Sequence, residues 1–455
     1  MLRARDRLYG ELQLPDLAWQ LAVTCPVLLR LREVRMANIP FLTHPSFAHV
    51  DRYEHSLGAA HLAWRWSNRR GLCKDDALAL TLAALYHDGA TPAFGHLFEE
   101  YLRRFGFDHE ESLVNLLQGT TDELPGADSA QVFLGRGCKL RSALPRPKSL
   151  PSSLTTLGVA DLIAGKGTFG QLIKGRIDFD NIDNVVRASS AMGLSPPRDL
   201  IHPYDIIDAI AFDGNEITID QAKASAISAW SEVRRQLYDA ILNNQYEFRA
   251  QTALKWAIEE CAAKHEGLRH PGAWIITDPE LTFDYLRKVP FSQALVDRLR
   301  LANPPELLFC AWASDLSVLT GQQSGHVILG LSDALSQLTN CEVYFNYYLD
   351  KRSRKIGLPV RDNMSLFIPD EPGSPGDAQS ASNGGVIGAV YVTRTERASA
   401  EGAQGPYKEV TKRPASLGDI SATLERYLGQ PIYSASFRWI SGGSIPSSMF
   451  SLSAM

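Results

Sequence analysis

A histidine and an aspartate stand side by side at His87-Asp88, at the end of a run in which Leu78, Leu82 and Leu85 recur at helical spacing. This spacing predicts a helix with one buried face that runs directly into the pair. A neutral imidazole and a carboxylate are ligands that suit a first-row divalent metal ion. The dipeptide is common by chance, so it indicates a metal site only if other segments supply more ligands.

Two other segments place ligating side chains beside apolar helical runs. His55 lies upstream in Arg52 to Gly58, and Asp180 lies downstream, where Phe179, Ile182 and Val186 share a helix face. Taken alone, His87 could be a core histidine and Asp180 a helix N-cap. Together, two imidazoles and two carboxylates leave open positions for water and phosphate on Mn, Fe, Co, Ni, Zn or Mg. The predicted ligands of one divalent ion are His55, His87, Asp88 and Asp180.

The order of these segments resembles the HD superfamily of metal-dependent phosphohydrolases, and most closely its deoxynucleoside triphosphate triphosphohydrolase (dGTPase-like) branch. The resemblance covers roughly residues 28–310. It implies a mainly α fold, in which an HD-domain helical bundle carries a small α+β C-terminal lobe. It also implies hydrolysis of a nucleotide or nucleotide-like phosphate. The motifs that carry it are Arg-Tyr-Glu-His-Ser-Leu-Gly at 52–58, His87-Asp88 with Phe94-Gly95-His96, His109-Glu110, and Asp-Asn-Ile-Asp at 180–183.

The resemblance implies roles for four residues around the metal. His109 is expected to be a general acid or a phosphate contact, with His96 beside it and Glu110 orienting its imidazole. Arg52 is expected to bind substrate phosphates through its guanidinium fork. Three alternatives stay open, namely a structural hydrogen bond for His96, a helix cap for His109, and an ion pair with a remote acid for Arg52.

The sequence departs from the family pattern where the sugar would bind. Met36, Asn184 and Ala188 stand at the positions of three sugar-contacting residues, and Thr91 replaces a histidine of the extended His-Asp motif. A pocket without polar contacts to a hydroxyl does not discriminate by that hydroxyl. Phosphohydrolysis is therefore better supported than ordinary dNTP hydrolysis. The alternative is a catalytically silent HD-fold protein that senses a nucleotide.

Composition limits the partners of the protein. The 455 residues are 45% hydrophobic and 21% charged, with a net charge of −5, so the surface as a whole is not a nucleic-acid-binding one. The six cysteines form no Cys-x-x-Cys motif, which is typical of reduced thiols in a cytoplasmic protein. No apolar run reaches membrane-span length. We expect a small phosphorylated substrate and no membrane, and a homo-oligomer is left open.

The chain is predicted to have two parts. Residues 1–340 form the helical HD-domain body, with the metal site within 44–190, and residues 341–455 form the α+β lobe, which holds no candidate ligand. The stretch 129–160 carries basic residues and no acid, so it is either a solvated loop or a basic lid over substrate phosphates. Ordered elements are predicted as a hairpin at 206–219, strands at 343–349, 388–392 and 431–435, and helices that include 54–69, 75–87, 109–118, 180–192, 221–243, 245–264 and 417–428.

Overall fold

The computed structural model describes residues 4–37, 43–118, 154–175, 177–194, 201–213, 216–320, 324–351, 384–402, 415–430 and 432. Over these residues the chain is mainly helical with small sheets, which confirms the predicted fold class. Most of the basic stretch 129–160 and, apart from Ile432, the predicted strand 431–435 lie outside the described residues.

The α-helices follow the predicted pattern closely, and short 3₁₀ and π turns lie between them. The α-helices are Asp16–Thr24, Pro26–Arg30, Arg52–Arg69, Lys74–Tyr86, His96–Leu102, His109–Gln118, Thr156–Ile163, Phe179–Met192, Pro203–Ala209, Ala224–Leu242, Gln245–Ala262, Asp278–Glu280, Pro290–Arg300, Ser317–Thr320, Ser324–Thr339, Arg394–Ala400 and Leu417–Leu428. The 3₁₀ segments are Leu31–Glu33, Phe47–His49, Arg103–Phe105, Gly170–Leu172, Gln221–Lys223, Glu266–Arg269, Pro271–Ile275 and Leu286–Lys288, and a π turn spans Leu281–Tyr285.

Three of these helices form the frame of the candidate site. We call them the His55 helix (Arg52–Arg69), the His87 helix (Lys74–Tyr86) and the Asp180 helix (Phe179–Met192). The His55 helix packs against both of the others, and small side chains such as Ala59 and Ala60 are fully buried there. Small residues let the three backbones approach closely, so side chains from different helices meet at one point.

The described strands form three antiparallel sheets. They are β1 (Arg5–Asp6) with β2 (Gly10–Glu11), β3 (Ile210–Phe212) with β4 (Ile217–Ile219), and the three-stranded sheet of β5 (Glu306–Ala313), β6 (Glu342–Leu349) and β7 (Gly385–Val392). The pair β3–β4 confirms the hairpin predicted at 206–219 from residue 210 onward, while residues 206–209 belong to the helix Pro203–Ala209. The middle strand of the larger sheet is β7, which pairs with β5 on one side and β6 on the other.

Strand β5 was not predicted from the sequence, although it belongs to the same sheet as the predicted strands β6 and β7. Its apolar run shows no alternation, and such a run does not distinguish a buried strand from a helix. The sheet therefore takes one strand from before residue 340 and two strands from after it. The division into parts 1–340 and 341–455 stays a prediction.

Candidate active site

The four predicted metal ligands come together where the three framing helices meet. The Nε2 atom of His55 lies 3.0 Å from Asp180 Oδ1 and 3.7 Å from Asp88 Oδ2. The Nε2 atom of His87 lies 3.6 Å from Asp88 Oδ2 and 3.7 Å from Asp180 Oδ1. The ligand atoms of His55, His87 and Asp88 all lie within 4.8 Å of one another, so these three residues form a group that could hold a metal ion.

Each imidazole uses its Nδ1 atom for a bond to the protein. The Nδ1–H of His87 donates to the carbonyl oxygen of Ala84 at 2.7 Å, and that of His55 donates to Asp183 Oδ1 at 2.7 Å. These bonds direct the Nε2 atoms of both rings into the centre. Among the described residues, the buried Nε2 atom of His87 has no hydrogen-bond partner.

This geometry fits a divalent metal ion. Ligand atoms that lie about 2.0–2.2 Å from a metal ion, at angles of about 90–110°, are separated by about 3.0–3.6 Å. The four nitrogen-to-oxygen distances of 3.0 to 3.7 Å agree with that spacing. The Nε2 atom of His87 has no hydrogen-bond partner among the described residues, so it adds a buried nitrogen that a metal ion would bind.

The Asp88 carboxylate is held by two neighbours. Its Oδ1 atom accepts a hydrogen bond of 2.8 Å from the Thr91 hydroxyl, and its Oδ2 atom accepts one of 2.8 Å from Arg52 Nη1. Thr91 thus gains a specific role at the position where it departs from the family pattern. Arg52 makes the ion pair with a remote acid that the sequence left open, and it also lines the cavity described below.

Helix capping explains why Asp180 is available to the centre. The cap of the Asp180 helix is Asp178, whose Oδ1 atom accepts from the Asn181 N–H at 2.7 Å. Asp180 follows in the first turn of the helix. It is not the N-cap, so the alternative interpretation of Asp180 as a helix cap is wrong. The fourth predicted ligand is therefore held beside both imidazoles by the start of a buried helix.

Behind His55, Asp183 connects the centre to a buried arginine. The Asp183 carboxylate accepts bonds of 2.8 and 2.9 Å from Arg187 Nε and Nη2, and one of 2.6 Å from the Tyr9 hydroxyl. Arg187 is fully buried and also donates to Asp6 Oδ2 at 2.8 Å. Sequence reasoning quoted Asp183 only as the end of a motif, and the four-residue spacing to Arg187 was the available signal.

The charges at the centre favour a cation. Burial alone would lower the pKa of His55, but the hydrogen bonds and charges of Asp180 and Asp183 outweigh it and raise that pKa to about 10. Burial would raise the pKa of Asp88, yet the charge of Arg52 and the two imidazoles hold it well below its usual value. The carboxylates therefore stay ionised and attract positive charge.

The turn that follows Asp88 is held by side chains from distant parts of the chain, Arg30 and Asp278. Burial of Arg30 lowers the pKa of its guanidinium to about 10. The guanidinium donates to the carbonyl oxygens of Gly89, Thr91 and Trp274. Phe94 has a left-handed backbone with φ of 51°, and its N–H donates to Asp278 Oδ1 at 2.7 Å. A bulky residue in that region is strained, so these contacts hold the turn in one conformation.

A second cluster joins the two histidines expected to take part in proton transfer. Glu99 accepts a bond of 2.6 Å from His96 Nδ1 on Oε2 and one of 2.7 Å from His109 Nδ1 on Oε1. Burial would lower the pKa of His109, but the hydrogen bond and charge of Glu99 raise it above its usual value. Glu99 was missed, although its position three residues after His96 on one helix was a usable signal.

Two expectations about His109 change with this geometry. Glu110, expected to orient the His109 imidazole, instead forms an ion pair with Lys174, because adjacent residues on a helix point in different directions. Glu99 holds the imidazole in its place. The cap bonds at the start of helix His109–Gln118 run from the N–H groups of Glu110 and Glu111 to Asp108 Oδ1, both at 3.0 Å, so His109 is not the cap.

A cavity of about 600 Å³ opens beside the centre. Arg52 and His96 line it, and so do Met36, Asn184 and Ala188, the three positions at which the sequence departs from the family's sugar contacts. The departures are therefore gathered on the wall of one cavity next to the candidate metal centre.

Comparison with known proteins finds one matching domain and a relative of low identity. A model of the HD domain matches residues 52–131. The "Deoxynucleoside triphosphate triphosphohydrolase SAMHD1 homolog" of Dictyostelium discoideum is 26% identical over 230 residues, which is 47% of this chain and 41% of that protein. The aligned region thus spans less than half the length of this relative. No helix among the described residues is both long and apolar enough to cross a membrane.

The matched region contains the His55 segment and the His87-Asp88 pair, and the relative belongs to the branch that the motifs indicate. The chain thus contains a region that matches the HD domain, and it resembles the HD-domain deoxynucleoside triphosphate triphosphohydrolases.

Proposed function

We propose that the protein is a metal-dependent phosphohydrolase that acts on a nucleotide or a nucleotide-like phosphate. The observation that carries the proposal is that two Nε2 atoms lie 3.0–3.7 Å from two carboxylate oxygens, and that His87 Nε2 has no hydrogen-bond partner in the part of the chain that the structure describes. His55, His87, Asp88 and Asp180 would hold the ion. When bound, a divalent ion supplies Lewis-acid polarisation of a phosphate oxygen.

The side chains around the centre provide the other requirements of phosphoryl transfer. Phosphate hydrolysis needs neutralisation of charge and positioning more than covalent chemistry. Arg52 lines the cavity at the centre and carries the positive charge that a phosphate requires. Its ion pair with Asp88 fixes the guanidinium in position before a substrate arrives.

The Glu99 cluster is suited to proton transfer. A general acid needs a pKa near the working pH and a fixed orientation. The Glu99 carboxylate fixes the tautomer of His109 and raises its pKa, which keeps a proton available on the imidazole. His109 is therefore proposed to donate a proton to the leaving group, with His96 as its neighbour on the same carboxylate.

The test is a hydrolysis assay over a substrate panel. Nucleoside mono-, di- and triphosphates, in ribo and deoxy forms, are incubated with the protein and Mn, Co or Mg, and the products are separated by ion chromatography. The name of the Dictyostelium relative makes deoxynucleoside triphosphates the first candidates. We expect metal-dependent release of phosphate, pyrophosphate or triphosphate, and the product identifies the bond that is cleaved.

Two variants make the assay specific. Asp88→Ala removes a proposed ligand and should abolish turnover, whereas Asp161→Ala removes an exposed carboxylate that pairs with Lys166 and should leave turnover unchanged. Nucleotide binding without hydrolysis under any metal would contradict the proposal and favour the silent sensing protein. Equal hydrolysis by wild type and Asp88→Ala would show that the activity comes from elsewhere.

A further inference from the structure

The far wall of the cavity is built by one helix and one strand. The helix Gln245–Ala262 packs against β6 (Glu342–Leu349), and both contribute to the lining. Gln251 and Lys255 are four residues apart on the helix, so they lie on the same face. Tyr348, on β6, packs its ring against Phe248 of that helix at 5.0 Å between ring centroids. Gln251, Lys255 and Tyr348 thus belong to one continuous surface, which we call the distal wall.

Two polar atoms of the distal wall have no partner. Gln251 and Tyr348 are each 8% exposed, and both line the cavity. Among the described residues, neither Gln251 Oε1 nor the Tyr348 hydroxyl oxygen makes a hydrogen bond. A buried polar atom without a hydrogen bond lowers the stability of the fold. Two such atoms beside a cavity therefore indicate that a bound ligand supplies their hydrogen bonds.

Lys255, the charged side chain of this wall, is satisfied. Lys255 Nζ donates to Glu100 Oε2 at 2.7 Å and to Asn346 Oδ1 at 2.9 Å, and Asn346 Nδ2 donates to Thr252 Oγ1 at 3.0 Å. These bonds fix the distal wall in one arrangement. The unpaired atoms therefore do not reflect a loosely built region, because their neighbours form a complete network.

The remaining lining limits the shape and chemistry of the occupant. Apolar side chains also line this cavity, and they suit the flat faces of a ring. They include Met36, Ala37, Phe47, Leu237, Ile241 and Leu242. The last side-chain bond of a glutamine rotates easily, so Gln251 can present either its oxygen or its amide N–H to the cavity.

From these contacts we infer that Gln251 and Tyr348 recognise the hydrogen-bonding edge of a nucleobase whose phosphate lies near Arg52. A nucleobase combines apolar faces with an edge that carries both donors and acceptors, and an amide beside a hydroxyl complements such an edge. The inference rests on the proposed function, since it takes the cavity as the substrate site. It makes Gln251 and Tyr348 specificity-determining residues, and leaves proton transfer and metal binding to others.

The test measures discrimination between bases. The values of kcat/KM are determined for four nucleoside triphosphates that differ only in the base, and for deoxyribose 5-triphosphate, which lacks one. Gln251→Met and Tyr348→Phe remove the polar atoms with little change in volume, and Gln221→Met, at an exposed glutamine, is the control. We expect each cavity variant to lower kcat/KM for the preferred nucleotide by about 3- to 10-fold, as for one lost hydrogen bond.

The same variants should leave the rate with the substrate that lacks a base unchanged, so the ratio between bases falls. An unchanged ratio of kcat/KM between bases in both variants would overturn the inference. Equal kcat/KM for all four bases in the wild type would also overturn it, since water alone would then bind the two polar atoms. If Gln251→Met does not fold, Tyr348→Phe decides alone, because it removes a single oxygen.

Calorimetric binding of the same nucleotides to the metal-free protein separates this inference from the proposed function. Suppose that the affinity depends on the base, that both variants abolish this dependence, and that the wild type hydrolyses nothing with any metal. This result would support the inference and overturn the proposed phosphohydrolase activity. Hydrolysis with an unchanged base ratio would overturn the inference and support the phosphohydrolase.

Discussion

Asp183 Oδ1 accepts a hydrogen bond of 2.7 Å from His55 Nδ1, and this bond directs the other nitrogen of His55 into the candidate metal centre. Burial would raise the pKa of Asp183, but the charge of Arg187 and the bond from His55 hold it well below its usual value. The carboxylate therefore stays ionised and increases the basicity of the imidazole. A carboxylate that accepts a hydrogen bond from a metal-binding histidine fixes the orientation of that ligand. Its removal typically lowers the metal affinity.

Replacement of Asp183 by asparagine should weaken metal binding. Asp183→Asn keeps the shape but loses the charge behind His55, so the affinity for Mn or Co should fall by about 10- to 100-fold. Competition titration against a chelating dye measures this affinity, and Asp161→Asn at the protein surface is the control. Unchanged affinity in a folded Asp183→Asn protein would show that His55 does not depend on this carboxylate.

A methyl group at Gly58 should disrupt the same support. A Cβ atom at position 58 would lie 2.2 Å from Asp183 Oδ2 and 2.5 Å from Arg187 Nη2, which is closer than real contacts allow. Alanine normally favours a helix over glycine by about 1 kcal/mol, so the sign of the effect is informative. We expect Gly58→Ala to lower the free energy of unfolding by about 1–3 kcal/mol because of overpacking.

Urea denaturation measures that change, and Gly267→Ala is the matched control because no atom lies within 4 Å of its added Cβ. Stabilisation by Gly58→Ala would mean that the Asp183–Arg187 pair has room to move.

The hydroxyl of Thr91 should matter through Asp88. Thr91→Val preserves shape but removes the 2.8 Å bond to Asp88 Oδ1, and we expect metal affinity to fall by about tenfold. Thr91→Ser keeps the hydroxyl and should retain most of the affinity. The comparison of the two variants by the dye titration isolates the hydrogen bond, and equal affinities would remove this role from Thr91.

His109 should affect catalysis without affecting metal content. His109→Ala is expected to keep the metal and to lower kcat by on the order of 10²–10⁴, the usual scale for a positioned acid or base. Since Asp108 makes the cap bonds of this helix, the variant should also fold. Metal content, melting temperature and kcat are measured on one preparation, and a near-normal kcat would eliminate the catalytic role.

The pH profile should depend on Glu99. The pKa of His109 is raised above its ordinary 6.5 because Glu99 stabilises the protonated ring more than burial destabilises it. A rate that needs protonated His109 is therefore full at low pH and is lost as the pH rises through this raised value. In Glu99→Gln the charge is gone, so the falling limb of kcat/KM should move to lower pH; a limb that stays in place would separate His109 from the proton transfer.

The identities of His55, His87, Asp88 and Asp180 could be proposed from sequence because each stands in a short motif beside an apolar helical run. The partners behind them were harder to find. Asp183 and Glu99 act through bonds to side chains on other helices, at 2.7 Å in each case, and such pairings depend on helix packing. The prediction for Glu110 was wrong for the same reason. Glu110 is adjacent to His109 in sequence, but its side chain pairs with Lys174.

The same limit applies to the cavity. The sequence suggested that Met36, Asn184 and Ala188 would alter the substrate site, and all three line the cavity beside Arg52. Nothing in the local pattern around Tyr348 indicated that a strand of the C-terminal part would close that cavity. The pairing of β6 with β7 and the packing of β6 on the helix Gln245–Ala262 are long-range contacts, so they become visible only in the folded chain.

The central claim is that one divalent ion binds at His55, His87, Asp88 and Asp180, and elemental analysis tests it most directly. Wild type, Asp88→Ala and Asp161→Ala are loaded with Mn or Co, desalted and measured by mass spectrometry, with circular dichroism as the check of folding. We expect about one ion per chain in wild type and Asp161→Ala, and none in a folded Asp88→Ala protein. Stoichiometric metal in Asp88→Ala would contradict it.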